Sequence, residues 1–198
     1  MDLYRVKPAL LRGLDPVLSW LERTGVRPDV LTLGAIPVGA IAGIAILASP
    51  SAPLLLVLVP LAAAARLVLN LLDGALARRT GMIHAKGELF NEVGDRFADV
   101  LMLVPVAFVP GAYQATVLLG VTMAVLASFT SVATRAAGGT RSYRGILSKP
   151  GRMVLLSVTA LAVIVVGPTA WGPFGPLLLV GTSLTLLERV IGAVRELP

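Results

Sequence analysis

Long apolar runs alternate with short polar connections along this chain, on a scale longer than most soluble helices and far longer than strands. A bilayer core takes about 20 apolar residues as a helix, and that length predicts spans over residues 30–49, 54–76, 93–111, 115–135, 152–168 and 174–193. The second and third qualify only if their charged ends face protein or water rather than lipid. Pro37, Pro60 and Pro105 interrupt apolar runs, which membrane helices tolerate where neighbouring groups re-satisfy the freed backbone. Ahead of the first span, Leu3, Val6, Leu10, Leu14, Val17, Leu18 and Leu21 recur at helical spacing with basic residues between them. They predict an amphipathic helix on the inner leaflet, split near Gly13 and Pro16, with packing against the bundle as the alternative. It is too polar for a cleaved signal peptide. The expected organisation is an all-α integral membrane protein, with an amphipathic juxtamembrane helix in residues 1–29 and one six-helix transmembrane domain over residues 30–198.

Composition agrees: 56% of residues are hydrophobic and 14% charged, with a mean hydropathy of +0.87, outside the range of soluble domains. The placement of charge adds an orientation. The connections after the odd-numbered spans (SPSAP, the stretch around VPGAYQ, and GPTAWGPF) contain no lysine or arginine. The other side holds Arg5, Lys7, Arg12, Arg23, Arg27, Arg78, Arg79, Lys86, Arg135, Arg141, Arg144, Lys149, Arg152, Arg189 and Arg195. By the positive-inside rule both termini and that face are cytoplasmic. A net charge of +6 without aromatic interleaving fits anionic lipid or phosphate as a partner rather than nucleic acid. Cysteine is absent, so a metal would need oxygen ligands.

One stretch breaks the apolar pattern: NLLDGALARRTGMIHAKGELFNEVGDRFADV, residues 70–100. At about 100° per residue, Arg66, Asn70, Asp73 and Ala77 share one face of the second span near its cytoplasmic end. Asn91, Asp95 and Asp99 make a second stripe on the third span, and the short turn between them, roughly Thr80 to Gly87, predicts that the two helices are neighbours. Carboxylates inside a membrane need neutralising. One reading is a structural network with Arg66, Arg78 and Arg96. The other is an all-oxygen nest of Asp73 and Asp95 with the Asn70 and Asn91 amide oxygens, suited to a hard divalent cation.

The stretch resembles the signature of the CDP-alcohol phosphotransferases, D-x2-D-G-x2-A-R-x8-G-x3-D-x3-D. The match is Asn70-x2-Asp73-Gly74-x2-Ala77-Arg78-x8-Gly87-x3-Asn91-x3-Asp95, with the spacing met throughout and six of the eight specified residues identical. Arg27-Pro28-Asp29-Val30-Leu31-Thr32 looks like the P-N-x2-T start of that family's first span. The resemblance implies six spans and a membrane enzyme of phospholipid biosynthesis, in the bacterial inner membrane, that moves a phosphatidyl-type group from a CDP-linked lipid to an alcohol and releases CMP. It implies Mg2+ or Mn2+ held by Asp73 and Asp95, with Asn70 and Asn91 at the remaining acidic positions, and Asp95 as the base that deprotonates the acceptor. Asn70, Asp73, Gly74, Ala77, Arg78 and Gly87, with Thr32 at the edge, match positions that shape the nucleotide and diphosphate site. Arg141, Arg144, Lys149 and Arg152 fall where members of the family carry basic residues near the acceptor's phosphate, although topology alone also puts positive charge there. A homodimer is implied as well.

Asparagine at the first and third acidic positions cuts the pattern's formal charge from four negatives to two, so a second metal is held weakly or not at all. This form is similar to a bacterial branch of the family. Glu92 and Asp99 lie close by as substitutes for the missing charge. Two other functions remain open on the residues alone. A catalytically silent relative fits the two asparagines, while a cation transporter would need the polar stripes to continue through the outer halves of spans two and three, which are Leu, Val, Ala and Pro. His84 reads as a loop residue, and Gly34, Gly39 and Gly43 as points of close helix packing.

Overall fold

The computed structural model describes residues 11–197 of the 198-residue chain. The first part of the amphipathic segment, including Leu3, Arg5, Val6, Lys7 and Leu10, lies outside the described residues. The rest breaks at Leu14 and resumes as α1, Asp15–Arg23, with Pro16 in its first turn, where a missing N–H costs nothing. Leu18 and Leu21 of α1 pack on Leu72 and Leu76. Arg79 clasps Asp15 at 2.9 Å and Glu22 at 2.7 Å. The helix therefore docks on the bundle while Val17 and Trp20 stay exposed.

Six long helices follow: α2 (Pro28–Ala48), α3 (Leu58–Thr80), α4 (Ala85–Leu103), α5 (Gln114–Ala136), α6 (Lys149–Val166) and α7 (Phe174–Glu196). Short 3-10 turns precede α3 and α7 and follow α4. Five of the six, all but α4, are long and apolar enough to cross a membrane. Apolar side chains such as Ile44, Phe129 and Val165 cover the outside of the bundle, as a lipid-facing surface requires. The exception, α4, carries Asn91, Glu92, Asp95, Arg96 and Asp99, and turns Gly94, Ala98 and Asp99 inward while Leu89, Phe90, Val93 and Phe97 stay exposed.

The helix ends depart from the predicted spans chiefly in the second and third. α4 begins at Ala85 rather than 93, and α3 runs on to Thr80 rather than 76. Hydropathy marks where hydrocarbon ends, whereas backbone hydrogen bonding continues until a residue stops it: Gly81, at φ 69°, ends α3, and the His84 ring caps α4 by accepting the Gly87 amide at 2.9 Å.

The two polar stripes meet as expected, through side chains such as Asn70 on Asp95 and Arg66 on Asp99, but the packing adds a third helix. The helices bearing the two polar stripes make few direct backbone contacts with each other, and both lie instead against α2. Glycine makes this approach feasible. A Cβ on Gly39 would fall 2.9 Å from the Ala98 carbonyl oxygen, and one on Gly43 would run into the Leu101 carbonyl. Gly34, by contrast, has only a Leu69 methyl at 4.0 Å, so two of the three glycines pack as expected. On the far side α5 and α7 form a second tight pair, with the Thr182 hydroxyl donating to the Gly120 carbonyl at 3.0 Å. α6 leans on α3 and closes the ring. The half of the bundle away from the polar stripes is an apolar core that includes Ile46, Leu56, Val59, Met102, Leu103, Val106, Trp171 and Phe174.

Candidate active site

α3 and α4 both lie against α2, and their polar halves flank a cleft that side chains bridge. At its floor, Arg66 of α3 is wholly buried. It pairs with Asp99 of α4 at 2.9 Å and donates to the Asp95 carbonyl at 3.3 Å and the Met102 sulfur at 3.2 Å. The other oxygen of Asp99 takes Arg152 of α6 at 2.8 Å, and Arg152 also donates to the Leu147 carbonyl at 3.3 Å. These three groups are buried and mutually neutralised. The structural network foreseen for Arg66 therefore exists, built mainly on Asp99 and on Arg152, with Arg96 at its edge 3.8 Å from Asp95 and Arg78 outside it.

Above that floor sit the two signature aspartates, in unequal surroundings. Asp95 is crowded with donors: its Oδ1 accepts Lys149 Nζ at 2.6 Å and the Asn70 amide at 2.9 Å, with Arg66 at 3.9 Å, while Arg96 stands 3.8 Å from Oδ2. Asp73 is buried. Its Oδ2 accepts the Thr32 hydroxyl at 2.8 Å and its Oδ1 the Gly74 amide, yet among the described residues no basic side chain lies within 4 Å of it. Beside it, Asn70 Oδ1 is buried and accepts no hydrogen bond. A buried carboxylate without a counter-charge next to an orphaned amide oxygen suits a hard cation. The donor set therefore fits a divalent metal on the Asp73 side of the cleft. Among the described residues no three acidic or imidazole side chains cluster as a metal site; two of the four signature positions carry amides.

The remaining signature residues line the approach. Gly74 bares the helix surface next to Asp73, where the nearest atom to an added Cβ would be an Arg78 guanidinium nitrogen at 3.4 Å. Ala77 lies one turn on, half-buried, and Arg78 is exposed. Gly87 is pressed by the His84 ring and by Asp29, at 3.1 and 3.2 Å from a Cβ position, so its missing side chain serves helix entry and the contact with α2. Thr32 touches both signature helices: its hydroxyl holds Asp73 and its methyl lies 3.7 Å from a Cβ on Gly94. Asn91 is half-buried on the cleft side of α4.

The basic cluster after α5 divides. Lys149 reaches Asp95, and Arg152 is consumed by Asp99. Arg141 pairs with Glu92 and stacks 4.8 Å over the Tyr143 ring, while Arg144 is exposed and its carbonyl accepts from Arg189 at 2.9 Å. Glu92 is held further by Arg96 at 2.7 Å. Neither Glu92 nor Asp99 thus offers free charge to replace the missing aspartates. Sequence reasoning passed over Lys149 as a partner of Asp95, because positive charge in that loop is already explained by topology.

No family model matches the chain. The chain is 30% identical over 196 residues to the inner membrane protein YnbA of Escherichia coli (strain K12), which covers 99% of this chain and 96% of that protein. It is 29% identical over 192 residues to a protein of Aquifex aeolicus (strain VF5), with coverages of 94% and 91%. Among solved structures it resembles the phosphatidylinositol phosphate synthase PgsA1 of Mycobacterium tuberculosis. With CDP-DAG bound, that protein aligns at a TM-score of 0.71 and 21% identity, covering 91% of this chain and 93% of that one. In complex with manganese and citrate it aligns at 0.73 and 20%, covering 91% and 88%.

Proposed function

From the premise that this chain belongs to the CDP-alcohol phosphotransferase family, as a relative of YnbA with the fold of PgsA1, we propose that it is a transferase of the bacterial inner membrane. It takes a CDP-linked lipid as donor and an alcohol as acceptor, and works at the cytoplasmic face with six crossings and both termini inside. The observation that carries this reading is the unpaired, buried Asp73 beside the orphaned Asn70 oxygen, facing an Asp95 whose second oxygen remains open.

In this reading Asp73 and Asn70 Oδ1 would hold Mg2+ or Mn2+, with Asn91 as a further oxygen donor and Asp95 Oδ2 left to act as base. When bound, the ion supplies positive charge for the diphosphate, which phosphoryl transfer needs above all. Arg78, lying over Gly74, orients the diphosphate, and Gly74 and Ala77 leave room for the nucleotide to lie against α3. Thr32 fixes the Asp73 carboxylate in one orientation. Asp95 takes the acceptor's hydroxyl proton on Oδ2. The acceptor oxygen then forms its bond to the β-phosphorus as the bond to the CMP phosphate oxygen breaks, and CMP leaves. Arg141 and Lys149 border the side from which the acceptor enters, which favours acceptors with a polar or phosphorylated headgroup.

The apolar core across the outer half of the bundle offers no polar path among the described residues, so a cation transporter does not fit. A silent nucleotide-binding relative remains the second reading, favoured by the two asparagines. Incubating the purified protein with labelled CDP-diacylglycerol and a panel of alcohols, with and without Mn2+, separates the two. Metal-dependent CMP release is expected. Thermal stabilisation by donor plus Mn2+ with no CMP from any acceptor would establish the silent reading instead.

A further inference from the structure

We propose that Lys149 is a built-in cation of this site: its ammonium, with the Asn70 amide, neutralises Asp95, so that the cleft takes up one divalent ion, at Asp73. The inference rests on reading the cleft as a CDP-alcohol phosphotransferase centre.

A carboxylate oxygen offers two lone pairs. Both pairs of Asp95 Oδ1 are taken, by Lys149 Nζ at 2.6 Å and Asn70 Nδ2 at 2.9 Å. The amide orientation is dictated by chemistry, because a carbonyl oxygen turned toward the carboxylate would be repelled. An aspartate at position 70 could make no such bond; two facing carboxylates would need a cation between them. The asparagine thus removes one negative charge and adds a donor, and the lysine supplies the positive charge. Arg66 and Arg96, at 3.9 and 3.8 Å, raise the local potential further. A divalent ion approaching Oδ1 meets a saturated oxygen and an ammonium. At Asp73, each oxygen keeps a free lone pair after its bond to Thr32 or Gly74, and among the described residues no basic side chain lies within 4 Å of it.

Lys149 is also held in place. It opens α6 with a side chain only 20% exposed. Two residues earlier, the Leu147 amide donates to Thr185 Oγ1 at 2.9 Å and the Leu147 carbonyl accepts from the buried Arg152. The backbone that presents the ammonium is therefore tied to both α6 and α7. This arrangement distinguishes it from a mobile surface lysine, whose charge would be dispersed by solvent.

The test is the number of Mn2+ ions bound per chain by the metal-stripped, full-length protein in detergent, read from the electron paramagnetic resonance of free Mn2+. One ion is expected for the wild type. Lys149→Met is expected to admit a second ion, bound on the order of tenfold more tightly than any weak second site of the wild type, since a unit charge beside the site is gone. Lys149→Arg, which keeps the charge, is expected to hold the count at one. Either two ions or none in the wild type, or an unchanged count and affinity in Lys149→Met, overturns the proposal. The wild-type count decides it even if the methionine variant fails to fold. CMP release is followed on the same preparations: release with an unchanged count in Lys149→Met sinks only the lysine assignment. The expected counts without CMP from any donor sink only the transferase reading.

Discussion

Replacing Asp99 by asparagine is the sharpest test of how the cleft floor is held. Asp99 is the shared counter-ion of Arg66 and Arg152, at 2.9 and 2.8 Å, and the three side chains are only 6%, 1% and 2% exposed. Asparagine has nearly the same shape but offers one carbonyl oxygen to two guanidiniums, and turns an N–H2 toward the other. Both arginines then remain buried without a compensating carboxylate. Breaking a buried pair by removing one partner costs about 3–5 kcal/mol, which lowers the folding equilibrium constant by roughly a hundred- to several-thousand-fold. For a chain of this size that corresponds to a melting temperature about 6–20 °C lower. The control is Glu88→Gln, which breaks the Glu88–Arg135 pair, where the side chains are 49% and 56% exposed, and where the expected cost is below about 1 kcal/mol. Thermal melting of both variants in one detergent checks the difference. If Asp99→Asn melts no lower than Glu88→Gln, the floor of the cleft is not held by this network and the assignment of Asp99 as structural is wrong.

Two further outcomes follow from the same geometry. Asp73→Asn removes the buried carboxylate that lacks a cationic partner, so in chelator the variant is expected to melt no lower than wild type, while stabilisation by Mn2+ and CMP release both fall at least about a hundredfold; a large loss of stability without metal would contradict the unpaired state assigned to Asp73. Gly43→Ala places a methyl against the Leu101 carbonyl and is expected to cost about 1–3 kcal/mol in melting experiments. Gly34→Ala, which meets only a methyl group at 4.0 Å, is expected to cost nothing measurable.

The apolar runs were enough to place the helices other than α4, because a membrane span is defined by length and composition, both local properties. The placing of Asp73 and Asp95 on facing stripes was also legible, since a fixed spacing sets them there. The inequality between them was not. Whether an aspartate is paired depends on which basic side chain arrives from elsewhere, and Lys149 reaches Asp95 from another helix whose positive charge membrane orientation already explains. Arg152 shows the same difficulty in reverse: expected at an acceptor phosphate, it is buried against Asp99. The expectation that α3 and α4 are neighbours rested on their short connection, and their stripes do meet through side chains; what it missed is that a helix carrying Gly39, Gly43 and Thr32 packs more closely on each of them than they pack on one another.

That last feature moves control of the chemistry to an unexpected place. The gap between the two halves of the signature is gauged by α2, which serves as a common backing plate, and not by the Gly81–His84 turn that joins them. A helix that lends one hydroxyl to the reaction centre thus sets the width of its jaws. Substitutions on the small-residue face of the first span should retune the bite of the site without touching any residue of the signature.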